Sequence, residues 1–287
     1  MFLFSTIIAT SFILSANSIY TGLEPKDRNI DGLIKNTRAI KEFPYHVSFV
    51  ESLPLYDYSV QSSFMCAGAI VSPQWIISSA SCVTDQPIDK MIVRSGTNTW
   101  NNGGISHNIR EIIPHPKYNA SKEGRSSNNI AMIRISPKFE FNVNCSSIDL
   151  FKRGEDIKSK SLANATGMGQ TEISPSSGLM MAKLEIKDWP SCDFLYRNFG
   201  GIANDQFCVG YKGQNYQGPC YGDGGSPLVI KNRLAGIFAW QKDCPSINYP
   251  PIYTRISSHR DWIMSYVLRK DPEEYYSYDV IDVTDKE

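Results

Sequence analysis

Apolar residues fall along this chain in short runs separated by turn-forming residues. Such runs cover Tyr45 to Val50, Ala67 to Val71, Lys90 to Val93, Ile130 to Ile135, Pro227 to Ile230 and Leu234 to Trp240. They are rich in β-branched and aromatic side chains, which fit a pleated, half-buried surface and predict strands. Short strands at close intervals, without an internal repeat, predict an all-β sandwich or barrel. One segment changes period. Trp262, Ile263, Tyr266 and Val267 fall on one face of a helix. Ser258 with Asp261 three residues on comes close to a capping box and places the start of this terminal helix at Ser258.

The two ends have a different character. Residues 1–18 carry no charge and are mostly apolar, yet Ser and Thr interrupt them too often for a membrane span. Ala16 and Ser18 have the small-residue spacing of a signal-peptide cleavage site, which predicts export. Residues 19–32 then form a short N-terminal or pro segment. The last seventeen residues, 271–287, hold seven acidic groups, three tyrosines and one lysine without apolar periodicity. Such a tail solvates itself. Tyr275, Tyr276 and Tyr278 stand among Glu273, Glu274 and Asp279, surroundings typical of tyrosines sulfated in the secretory route.

Charge narrows the partners. The formal net charge is zero and no basic stripe exists, so neither nucleic acid nor an anionic membrane is an expected partner. The seven cysteines form no CxxC pair, and no histidine stands near them at zinc-ligand spacing. Neither a metal nor another cofactor is expected. In an exported chain, disulfides are the natural reading, and an odd count leaves one cysteine over. Spacing alone allows 15 pairings of six cysteines. Sequons at Asn119, Asn144 and Asn164 are compatible with a secreted glycoprotein.

Four segments carry the main signal. The first is Cys66-Ala67-Gly68-Ala69-Ile70-Val71 followed by Trp75-Ile76-Ile77-Ser78-Ser79-Ala80-Ser81-Cys82. It resembles the CGGSLI…WVLTAAHC segment of the trypsin/chymotrypsin serine proteases. Asn129-Ile130-Ala131-Met132-Ile133 resembles their DIALI. Cys220-Tyr221-Gly222-Asp223-Gly224-Gly225-Ser226-Pro227 resembles CQGDSGGP, and Pro251-Ile252-Tyr253-Thr254-Arg255-Ile256 resembles PGVYTRV. All four occur in the family's order, and the resemblance runs over residues 33–270. It implies two six-stranded antiparallel β-barrels with a cleft between them and a C-terminal α-helix.

The resemblance also assigns positions to the chemistry, and there the residues differ. Hydrolysis by this family needs a hydroxyl nucleophile, an imidazole base and a carboxylate that orients it. The base position reads Ser81, the orienting position Asn129 and the nucleophile position Gly224. Gly222, Asp223 and Gly224 form the oxyanion loop. Gly218 stands where trypsins carry the aspartate that recognises Lys or Arg. Ala239-Trp240-Gln241 replaces SWG, and Pro251 replaces a pocket glycine, so Gln241 and Pro251 add bulk to the specificity pocket. The activating N-terminus aligns best with Leu33-Ile34-Lys35-Asn36, which follows Gly32; the basic Arg28 lies out of register. Asp223, the family's partner for the new ammonium group, is present, and its partner here is open. The resemblance implies the disulfides Cys66–Cys82, Cys192–Cys208 and Cys220–Cys244, and leaves Cys145 unpaired.

Three functions stay in view. The first is a secreted, non-catalytic protease homologue that acts by binding a protein, as decoy, cofactor or regulator of a proteolytic or immune cascade. Its partner would be a cascade protease, a protease substrate or an inhibitor. The second is a serine endopeptidase with a rearranged site, which requires a base near Ser81 or Ser226 that the sequence does not show. The histidines, His46, His107, His115 and His259, read as packing or surface residues. The third is a structural or storage glycoprotein.

Overall fold

The computed structural model describes residues 39–54, 60–120, 126–169, 178–211, 218–220, 222–244, 246 and 248–269. The leader 1–18, the segment 19–32 with Arg28, the Leu33–Asn36 start, Tyr221 and the tail 271–287 lie outside them. No described helix is long and apolar enough to cross a membrane.

The first barrel contains β1 (His46–Pro54), β2 (Val60–Ile70), β3 (Trp75–Ser78), α1 (Ala80–Val83), β4 (Met91–Ser95), β5 (Ile105–Pro114) and β6 (Ala131–Ser136). Its six strands close in the order β1-β2-β3-β6-β5-β4, with every neighbouring pair antiparallel. The second barrel comprises β7 (Asp149–Leu150), β8 (Leu162–Gly167), β9 (Met180–Ile186), α2 (Trp189–Leu195), β10 (Gln206–Tyr211), β11 (Pro227–Ile230), β12 (Arg233–Trp240) and β13 (Ile252–Arg255). Six antiparallel strands run β11-β8-β9-β10-β13-β12, and the β11–β12 pairing closes the ring. The short β7 adds outside this ring, parallel to β12. The C-terminal helix α3 (Ile256–Val267) completes the fold. Closure removes the open strand edges that a flat sheet would expose.

The apolar runs have a structural cause. Each barrel has its own core, around Phe49, Ile76 and Ile133 in the first and Leu184, Phe207 and Tyr253 in the second. A third cluster takes residues from both barrels, including Ala69, Ile77, Met132, Val229 and Ile237. Strands beside this seam are covered on both faces, so β3 and β11 are buried at every position. Two-sided burial gives continuous apolar runs, whereas β4 alternates buried and half-buried residues.

The terminal helix has its N-cap three residues earlier than the capping pattern predicts. Arg255 occupies the N-cap without a side-chain cap bond, and Ser258 lies within the first turn. Strand β13 runs directly into α3, and the buried Ile256 anchors that turn against the seam. Asp261 pairs instead with the exposed Arg153, 2.9 Å away. His259 therefore lies in the first turn of the helix. The helix rests on the first barrel through Trp262, which stacks on His115 at 4.8 Å, and Tyr266, which stacks on Trp75 at 5.5 Å.

One polar contact crosses the seam in a dry setting. His46 of β1 is 1% exposed, and its Nδ1 lies 3.1 Å from Thr166 Oγ1 of β8. Its Nε2 is buried without a hydrogen-bond partner among the described residues. Burial pushes the imidazole down to about 3, because a charged ring would lose its hydration there. The folded state holds this ring neutral, so its contribution to stability is complete above the ordinary value near 6.5. It is lost as pH falls from 6.5 toward 3, by up to about 1.4 kcal/mol per pH unit. His107 and His115 are also lowered, chiefly by burial, and act with the same sign. The melting temperature is therefore expected to fall as pH drops from 7 to 4.5. His46→Gln should flatten that slope. An identical slope in the variant would remove His46 from this account.

Candidate functional site

The site sits where α1, the approach to β6 and the turn before β11 converge. Ser81 is exposed on α1, directly before the disulfide-bonded Cys82. Asn129 is 1% exposed and stands two residues before β6. Their side chains meet: Asn129 Nδ2 donates to Ser81 Oγ at 2.9 Å. The Ser81 backbone N–H donates to Asn129 Oδ1 at 2.9 Å. Asn129 Nδ2 also reaches the Ala239 carbonyl at 3.3 Å, and the Asn129 carbonyl accepts from Thr254 Oγ1 at 2.9 Å. The amide is thus fitted on both sides, with its oxygen facing a donor and its nitrogen facing two acceptors.

Gly224 closes the constellation. A Cβ built there would lie 3.3 Å from Ser79 Oγ, 3.7 Å from Cys82 Cβ and 3.8 Å from Cys66 Cβ. The turn tip therefore faces the loop that carries Ser81. The Gly224 carbonyl accepts from the Ala67 N–H at 2.9 Å, tying the turn to β2.

Asp223 is held by backbone donors among the described residues. It is 6% exposed; Oδ1 accepts from the Gly169 N–H and Oδ2 from the Cys220 N–H, both at 2.9 Å. A Cβ at Gly169 would come within 2.6 Å of the carboxyl carbon, and one at Gly167 would overlap Oδ1. Gly167-Met168-Gly169 is thus a cradle for this carboxylate. Burial raises its pKa to about 6, against the two backbone donors, which lower it.

The pocket positions are bonded and packed against their own neighbours. Gln241 Nε2 donates to the Tyr249 carbonyl at 2.9 Å. Pro250 and Pro251 are buried, and the buried Tyr196 donates its hydroxyl to the Pro250 carbonyl at 2.7 Å. Tyr196 stacks edge-on against Trp240 at 4.9 Å and lies 5.5 Å from Tyr249, which meets Phe199 at 5.4 Å. Gly218, half-buried, precedes the buried Pro219 at the edge of this group. Tyr196, Phe199 and Tyr249 were not singled out by sequence. The one available signal is Tyr249 directly before Pro250-Pro251, a rigid pair that fixes where its carbonyl points.

The histidines stand elsewhere. His107 contacts Ser95 and the Pro137 carbonyl, each at 3.0 Å. His259 Nε2 lies 3.1 Å from Asp205 Oδ2, and its ring meets His115 at 4.9 Å. Ser226, buried in the turn before β11, has none of these rings as a hydrogen-bond partner among the described residues. No described group of three or more His, Cys, Asp or Glu side chains is arranged to hold a metal ion. The disulfides join Cys66 to Cys82, Cys192 to Cys208 and Cys220 to Cys244, while Cys145 is free and buried. Three bridges in such a chain are consistent with secretion. Of the sequons, Asn119 and Asn144 are exposed and Asn164 is half-buried in β8.

Comparison with known proteins places this architecture. A trypsin from Phaedon cochleariae is 26% identical over 264 residues, covering 90% of this chain and 94% of the relative. Trypsin 5G1 of Aedes aegypti is 26% identical over 226 residues, covering 78% of this chain and 80% of its own. Trypsin Blo t 3 of Blomia tropicalis is 29% identical over 214 residues, covering 72% and 79%. Among solved structures, neuropsin, a serine protease expressed in the limbic system of mouse brain, superposes with a TM-score of 0.68 at 23% identity. That match covers 80% of this chain and 97% of the neuropsin chain, and it is a likeness of fold. The family model described as Trypsin matches residues 35–263, and on that extent the chain belongs to the trypsin family of serine proteases.

Proposed function

We propose that this chain is a secreted trypsin-family protein that does not hydrolyse peptide bonds and acts by binding another protein. The observation that carries the reading is Ser81 hydrogen-bonded to Asn129, with Gly224 at the turn tip facing Ser79 and Cys82, the residues that flank Ala80-Ser81. A serine hydroxyl cannot take up a proton usefully near neutral pH, where an imidazole can. An asparagine amide has no charge with which to stabilise an imidazolium. A glycine has no side-chain atom to become acylated. The pocket positions support the same reading, because Gln241 and Pro251 stand where the family has glycines and Gly218 carries no charge for a Lys or Arg side chain. The partner class we favour is a component of a proteolytic cascade: a protease, its substrate or an inhibitor.

A fluorophosphonate probe incubated with the purified protein is expected to leave no covalent adduct, and peptide and ester substrates are expected to remain intact. Labelling that disappears on Ser226→Ala would establish a rearranged site and overturn the proposal. Affinity capture with the full chain as bait tests the second half. Recovery of a cascade protease, substrate or inhibitor that rebinds in purified form is the supporting result; recovery of none counts against it.

A further inference from the structure

The turn that carries Asn144 has three properties found together at neither of the other sequons. Asn142 and Cys145 pair as an isolated bridge, exchanging backbone bonds of 2.8 and 3.2 Å, so Val143 and Asn144 form the tip. Asn142 Oδ1 accepts from the Asn144 N–H at 2.8 Å and fixes the tip's backbone. Asn144 is exposed, while Cys145 beneath it is 3% exposed. Two large apolar side chains also stand in water here: Val143 is 77% exposed and Phe141 45%. Phe141 precedes Asn144 by three residues, and Ser146 follows it by two.

The other sequons lack this combination. Pro116 and Ser161 hold the positions three before Asn119 and Asn164. Asn119 is itself bridged to Ser127. Asn164 sits inside β8, between Lys183 of β9 and Val229 of β11. The hydroxyl of its sequon threonine, Thr166, is buried against His46.

We propose that Asn144 carries an N-linked glycan whose first sugar packs its apolar face on the Phe141 ring. A pyranose presents axial C–H groups on one face, and an aromatic ring is the side chain best matched to them. The chemistry is a group transfer from an oligosaccharyl diphospholipid. Asn144 Nδ2 bonds to the anomeric carbon of the sugar. The bond from that carbon to the diphosphate oxygen breaks, its electron pair leaves with the diphosphate, and the amide gives up one proton to a base of the transferring enzyme. The sugar then covers apolar surface that the protein itself leaves wet. The inference rests on export of the chain and not on the loss of hydrolysis, so probe labelling of Ser226 would leave it untouched.

The test uses the full chain with its own N-terminus, expressed in a eukaryotic secreting cell line. Peptide mapping after enzymatic release of N-glycans in heavy-oxygen water is expected to mark Asn144. Melting temperatures of glycosylated and enzymatically deglycosylated protein are then compared. The wild type should lose roughly 2–4 °C on deglycosylation. Phe141→Ala and Phe141→Leu should lose less, because the second keeps an apolar side chain but no ring. Asn144→Gln should melt below the glycosylated wild type. An unmarked Asn144, a chain that is not exported, an unchanged melting temperature in Asn144→Gln, or equal losses with and without the ring would each overturn the proposal.

Discussion

Replacing Gly225 with alanine is expected to remove a large share of the fold's stability, whereas the same change one residue earlier should be nearly silent. Gly225 has φ of +74°, in the left-handed region that L side chains avoid at a cost of about 1–2 kcal/mol. The larger problem is space. A Cβ there would overlap Ser78 Oγ and the Ala67 carbonyl, and would lie 2.9 Å from the Ser79 N–H. These atoms cannot yield independently, because Ser78 Oγ donates to the Ala67 carbonyl at 2.7 Å across buried strands. Together the two effects should exceed about 4 kcal/mol, a large share of the 5–15 kcal/mol that holds a typical domain folded. Gly224 carries no such conformation, and its Cβ would make contacts of 3.3 Å or longer. Gly224→Ala should therefore stay within about 1 kcal/mol of wild type. Urea unfolding of both variants, followed by circular dichroism, decides the matter. A Gly225→Ala midpoint close to that of wild type would refute this reading of the turn.

Restoring the family's three side chains should not restore a protease. The triple variant Ser81→His, Asn129→Asp and Gly224→Ser has room for the serine, as the Gly224 contacts indicate. The aspartate is less well received. Its oxygen would replace Asn129 Nδ2, which now donates to Ala239 O at 3.3 Å, and two acceptors would face each other. The pocket is the greater obstacle. Gln241 is bonded to the Tyr249 carbonyl, Pro250 and Pro251 are buried, and Gly218 offers no charge for a Lys or Arg side chain. Turnover of Lys and Arg peptides is expected to stay roughly a thousandfold or more below that of an intact site, the scale set by removing one triad member. Trypsin-like turnover by the triple variant alone would show that the pocket is open.

Much of this architecture is legible in the chain because the four motif segments fall on β2, β3 and α1, on the start of β6, on the turn into β11 and on β13. Cys66 to Val71 and Trp75 to Cys82 became β2, β3 and α1, and the segment at Asn129 leads into β6. What was not legible has two causes. Local rules lost to tertiary packing at α3, where burial of Ile256 outweighed the cap that Ser258 offered. Contacts between distant residues carry no local pattern at all. The pairing of Asn129 with Ser81 spans 48 residues, and the cradle of Gly167 and Gly169 around Asp223 spans more than 50. The packing of Tyr249 belongs to the same class, since its ring neighbours Tyr196 and Phe199 come from the turn after α2.

The positions of the disulfides govern how the molecule can come apart. Cys66–Cys82 lies wholly in the first barrel, and Cys192–Cys208 and Cys220–Cys244 lie wholly in the second. Each closes a short ring, of 16, 16 and 24 residues in separation, and removes entropy only from its own half of the unfolded chain. None crosses the seam. The halves are therefore two separately cross-linked bodies on one thread, held face to face by apolar contacts and by the terminal helix laid over both. Parting along the seam would break no covalent bond, only the apolar contacts and hydrogen bonds that join the barrels.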